Sequence, residues 1–73
     1  MTDTKVQSEV AGSVWKVLVS VGTKVERDAP LLILESMKME IPVDAPAAGE
    51  VVSIAVAEQE VVEEDQLLLV LRT

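Results

Sequence analysis

The chain has 73 residues, thirteen acidic against six basic side chains, a formal charge of −7, and neither cysteine nor histidine. A chain of this length makes one small domain with no room for a catalytic cleft of its own, and its charge disfavours nucleic acid and anionic membrane surfaces as partners. Without thiols or imidazoles there is no disulfide or metal staple, so apolar packing must hold the fold; valine, leucine and isoleucine, with alanine, supply most of it and favour strands.

Residues 1–9 read as a short polar leader and residues 10–73 as the folded domain. The leader has neither the apolar run nor the Arg-rich pattern of a targeting peptide, and no apolar segment reaches membrane-spanning length. Together with the lack of cysteine, this makes a cytoplasmic protein the expectation.

From Ala11 onward the sequence repeats itself 37 residues later without a gap. Ala11, Gly12, Val14, Val19 and Val25 fall on Ala48, Gly49, Val51, Val56 and Val62; Glu26 and Asp28 fall on Glu63 and Asp65; Leu31, Leu32 and Leu34 fall on Leu68, Leu69 and Leu71. Two copies of one unit, each too small to close a core, are expected to pack on each other about a pseudo-two-fold axis.

Within each copy the first strand is expected over 14–21 and 51–57. Shared apolar positions there step by three from Val14 to Val17 and from Val51 to Ile54, then by two, and a β-bulge accounts for that shift of phase. A turn at Val21-Gly22-Thr23-Lys24, a short piece around Val25 or Val62, an acidic corner and an apolar strand follow, the last opened in the first copy by Pro30. The fold class is therefore all-β: a flattened barrel or sandwich of two small antiparallel sheets, with Val14, Val17, Val19, Val25, Leu31 and Ile33 meeting their repeat partners inside. Trp15 lies on the opposite phase to Val14 and is read as packing laterally, with a docking contact as the alternative. The acidic run around Glu60 lacks the glycine and ligand spacing of a calcium loop and reads as a solvated turn.

Between the copies lies Glu35-Ser36-Met37-Lys38-Met39-Glu40, a charged peptide interrupting the apolar runs Leu31-Leu32-Ile33-Leu34 and Ile41-Pro42-Val43. It reads as a hairpin tip presenting Lys38. Two methionines beside a turn residue have little core to enter, so something other than packing is expected to use them.

This stretch, followed by Pro46-Ala47-Ala48-Gly49-Glu50-Val51, resembles the attachment site of biotinyl domains, the biotin carboxyl carrier family, and the resemblance runs from Val10 to Leu71. It implies a barrel-sandwich hybrid fold in its minimal form, because the short turn after Val21 leaves no room for a protruding thumb. It also implies covalent biotin on Lys38, with Met37 and Met39 flanking for ligase recognition and Glu35, Ser36 and Glu40 beside them. The implied partners are a biotin protein ligase, a biotin carboxylase and a carboxyltransferase that serves an acceptor such as an acyl-CoA. In that reading the chain is a non-catalytic carrier, monomeric when alone. The sister lipoyl domains share fold and lysine position but usually set an acidic and a small residue beside the lysine. Lipoate, in a 2-oxo acid dehydrogenase or glycine cleavage complex, is thus the alternative cofactor, and a dual acceptor a further one. An unmodified assembly module with a solvated turn lysine is the plainest alternative. Family members often have glycine where this chain has Ala29, Gln59 and Glu64, so the turns there are expected to be wider or to be built by other residues.

Overall fold

Branched apolar residues in short runs, broken by glycine, proline and acidic corners, give eight strands in a computed structural model that describes residues 2–73. In chain order they are β1 (Asp3–Gln7), β2 (Gly12–Val17), β3 (Lys24–Val25), β4 (Pro30–Ser36), β5 (Met39–Asp44), β6 (Gly49–Ile54), β7 (Val61–Val62) and β8 (Leu67–Arg72). They form two four-stranded sheets, ordered β1-β8-β6-β3 and β5-β4-β2-β7, with every pairing antiparallel.

The 37-residue repeat is structural as well as sequential. Leu18 N–H donates to the Leu31 carbonyl at 3.0 Å and Ala55 N–H to that of Leu68 at 2.8 Å, while Asp28 N–H donates to Ala45 and Asp65 N–H to Ser8. In β2 the register slips between Val14 and Lys16, and in β6 between Val51 and Ser53, so Trp15 and Val52 are equivalent bulge residues. The shift of apolar phase in the sequence marks these bulges.

The expected leader departs from this picture. Asp3–Gln7 is a strand that pairs along β8, Val6 is buried, and the buried Ser8 hydroxyl donates to the Val10 carbonyl at 2.5 Å. Residues 3–7 thus hold in one sheet the place of 40–44 in the other, at the edge of the domain and not outside it; Met1 lies outside the described residues.

The first strands also end earlier than expected, at Val17 and Ile54, because the chain leaves the ladder after the bulge. The core is built on Val14, Leu31, Leu32, Leu34 and their partners Val51, Leu68, Leu69 and Leu71, with Val62 and Val56 between them. Ile33 and Val70, expected inside, are half-buried and face outward: a register irregularity between Pro30 and Leu32 puts two consecutive leucines in the core, and alternation from Leu32 then sends Ile33 out and Leu34 in.

Of the two expectations for the turns that lack glycine, the structure bears out the second: they are built by other residues. Gln59 itself adopts φ 74° where its partner Gly22 has 96°, and the acidic corners use Asp28 and Asp65 at φ 69° and 68°. Aspartate tolerates the left-handed region better than most residues, so the corners stay tight without glycine.

Two glycines are fixed by contact. A Cβ on Gly12 would run into the Glu35 carbonyl, and one on Gly49 would stand 2.5 Å from the Arg72 carbonyl oxygen. Both neighbours are backbone and cannot swing aside. Gly49→Ala is therefore expected to cost about 1–3 kcal/mol, measured by urea unfolding with an unchanged m-value; an unaltered midpoint would show that β6 and β8 can separate without cost.

Candidate functional site

The hairpin β4–β5 carries the site. Cross-strand partners Leu34 and Ile41, Glu35 and Glu40, and Ser36 and Met39 lead to a two-residue loop made of Met37 and Lys38. Both loop residues have positive φ, 52° and 65°, which is the backbone of a type I′ turn. Such turns normally use Asn-Gly; a methionine and a lysine are held there at a cost of about 1–2 kcal/mol each. Adjacent strands with an even register leave no slack for another loop, so β4 and β5 impose the strain.

The base of the tip is tied down. Ser36 donates its hydroxyl to the Ala11 carbonyl at 2.9 Å, linking the hairpin to the segment before β2, and Gly12 lets β2 run close beneath the Glu35 carbonyl. Neither Ala11 nor Gly12 stood out as part of the site in the sequence. A glycine at the start of each repeat was the available signal, and only the fold shows what it approaches.

Above this base everything points to solvent. Met37 is 92% exposed, Met39 65%, and Lys38, Glu35 and Glu40 are also exposed. Among the described residues the ion pair within 4.0 Å joins Arg72 to Asp3, so the Lys38 ammonium is not held by either flanking glutamate. The sequence-predicted residues are thus brought together in one hairpin, with Ser36 structural at its base and Lys38 free at its apex. A mobile amine on a stiff mount can enter another protein's active site; it has no neighbour here that would take its proton.

Two facing sheets related by an internal two-fold, with one lysine lifted on a strained turn, define the class of small β carrier domains. Residues 4–71 match the family described as Biotin-requiring enzyme, and the chain belongs to it as a biotinyl domain. The match begins inside β1. Over 64 residues the chain is 42% identical to the biotin/lipoyl attachment protein of Bacillus subtilis, covering 88% of each. It is 41% identical over 66 residues to the biotinylated protein TB7.3 homolog of Mycobacterium leprae, covering 90% of this chain and 93% of that one. Among solved structures, a single-chain, multi-domain long-chain acyl-CoA carboxylase superposes with a TM-score of 0.91 at 33% identity, over 97% of this chain but only 7% of that one.

Because Met37 is almost wholly exposed, its side chain contributes little to folding, and its backbone strain can be relieved by a residue that accepts positive φ. Met37→Asn is expected to stabilise the domain by about 0.5 kcal/mol in urea unfolding. A loss of stability would mean instead that Met37 packs against the hairpin.

Proposed function

We propose that Lys38 is biotinylated by a biotin protein ligase, and that the tethered group carries a carboxyl unit from a biotin carboxylase to a carboxyltransferase, with an acyl-CoA as acceptor. The observation that carries this reading is the placement of Lys38 at the apex of a rigid two-residue turn, exposed and without an ion-pair partner. The chemistry of the site fits the group, since amide formation needs one accessible primary amine and nothing else from the carrier. When attached, biotin takes up a carboxyl unit on its ring in one active site and releases it in another.

The remaining roles belong to the chain. An ordinary lysine ammonium is a poor nucleophile at neutral pH, so the ligase must assist loss of its proton before the nitrogen attacks an activated acyl group. The positive φ at Met37 and Lys38 lifts the nitrogen clear of the sheet, and Ser36 fixes the hairpin so that the tip enters a cleft as one piece. Met37 and Met39 offer flexible apolar surface on either side for the enzymes that receive it. Tethering raises the local concentration of the cofactor at each partner site, which is the carrier's contribution. Catalysis lies with those partners; the chain is a non-catalytic, monomeric carrier working in the cytoplasm. Among the described residues no helix is long and apolar enough to cross a membrane.

Lipoate on the same lysine is the less favoured reading, because methionine stands on both sides of Lys38 and the matched carboxylase structure points to biotin.

Co-expression with a biotin protein ligase should add one biotinyl group to the intact mass and none to Lys38→Ala. The product should also focus as a more acidic species, its formal charge one unit below −7. A lipoyl increment in place of the biotinyl one would promote the alternative, and no increment with either ligase would end the carrier reading.

A further inference from the structure

The sandwich is open along one side. Edge strands β1 and β5 end their sheets there and, among the described residues, are not hydrogen-bonded to each other. The gap between them is a cavity of about 500 Å³, within the range of small-molecule sites. Nothing in the carrier role described so far uses it.

The internal two-fold shows which way this cavity leans. Val10, Leu34, Ile41 and Asp65 line it, but their twins Ala47, Leu71, Thr4 and Asp28 do not. Ile41 and its cross-strand partner Leu34 lie on the Lys38 side of the axis. At the other end Thr4 stands where Ile41 would, and its hydroxyl meets that of Thr73 at 3.4 Å. A fold built twice from one unit does not require that difference. On the lysine's side Val10, Ile41 and Val43 pack against the core yet stay half-buried, each with part of its side chain left to the gap.

Reach singles out an occupant. Lys38 is the turn residue next to β5, which is one wall of the cavity, and Ile41 stands three residues along the chain, about 10 Å away. A lysine side chain lengthened by the acyl arm of biotin is longer than this. The head group combines an apolar, sulfur-containing ring with a urea, whose carbonyl accepts hydrogen bonds and whose N–H groups donate them. The cavity offers both kinds of contact: an apolar floor, and on its rim exposed Asp44 as acceptor and exposed Lys5 as donor. The Gln7 amide already donates to the Asp65 carbonyl at 3.2 Å, whereas Lys5 has no ion-pair partner among the described residues. A second concavity, between Met37 and Val61, is more open and has no cation in its lining.

We propose that the cavity between β1 and β5 is a resting seat for the carrier's own tethered biotin, with the ring packed on Val10, Ile41 and Val43 and the urea held between Asp44 and Lys5. The inference rests on the carrier reading above. High affinity is not needed. A short tether holds the ring at an effective concentration on the order of millimolar, so an intrinsic dissociation constant of that order fills the seat about half the time. A seat this weak shelters the ring between visits and still yields it to the cleft of a partner enzyme.

Methyl NMR spectra of the chain with and without biotin on Lys38 read the seat directly. Resonances of Val10, Ile41 and Val43 should shift on biotinylation, while those of Ile33 and Val61, outside the cavity, should stay. Capture of the biotinylated chain by streptavidin reads the fraction of rings away from the seat. It should be about twofold faster for Ile41→Thr, which installs the twin residue, and for Lys5→Glu, which repels the urea carbonyl. Lys16→Glu, the same change of charge at an exposed position on the other sheet, should match the parent. Unmoved methyls at Val10, Ile41 and Val43, or a capture rate unchanged in Lys5→Glu, would overturn the proposal even if Ile41→Thr did not fold. Shifts at Val61 in their place would also overturn it, by setting the ring beside Met37. If the parent chain accepts no biotin, the carrier reading itself has failed; if it accepts biotin and the methyls stay, only the seat has.

Discussion

The structure depends on an exchange of backbone hydrogen bonds across the internal two-fold. Gly22 N–H donates to the Val51 carbonyl at 2.7 Å and Val51 N–H to that of Thr23 at 2.9 Å; in the other copy Gln59 N–H donates to Val14 at 2.7 Å and Val14 N–H to Glu60 at 2.8 Å. Each copy's turn thereby completes the first strand of the other. A half-domain would leave these groups without partners beside a core of valine and leucine, and burial would then cost more than it returned. The halves must fold together, which is how 73 residues with neither cysteine nor histidine hold one cooperative unit.

The same symmetry places the site. Twins of Ser36 and Met39 are Thr73 and Thr2, and those two residues exchange backbone hydrogen bonds at 3.1 and 2.8 Å. Thr2 and Thr73 thus occupy, on one side of the axis, the place that the residues flanking the Met37–Lys38 turn occupy on the other. A domain joined to anything through its ends would therefore hold that connection on the opposite side of the axis from its lysine. This is the geometry that a tethered carrier needs, and it follows from duplication alone.

Much of the fold could be read from the residues because the repeat is dense where the core is. Paired leucines and valines, paired glycines and a stepped apolar phase marked the facing sheets, their axis and their bulges. β1 escaped because its match to β5 keeps only Val6 against Val43, and an edge strand with one face in water tolerates polar residues. Ile33 was placed inside because four consecutive aliphatic residues carry no phase of their own; a bulge decided which of them turned inward. The lysine tip was legible from its methionines. Its backbone was not, since a type I′ turn usually announces itself by Asn-Gly and here strand register imposes it on residues that resist it. The Ser36 hydroxyl bond to Ala11 spans 25 residues and leaves no local trace.

On the proposed carrier role, the Lys38 amine has to reach several active sites and cannot be kept in a cleft of its own. Burial would shield it, and a neighbouring carboxylate would hold it as a paired ammonium. The hairpin avoids both, but an exposed lysine on a loose loop would lose freedom each time it was bound, weakening every encounter. A strained two-residue turn resolves this, because paired strands fix its backbone on both sides and leave the exposed side chain to adapt. The strain of about 1–2 kcal/mol per residue is tolerable since the paired strands behind it, anchored through Leu34 in the core and Ser36 at the base, fix the turn. The two facing sheets are thus the mount, and they hold the turn while the lysine side chain stands in solvent.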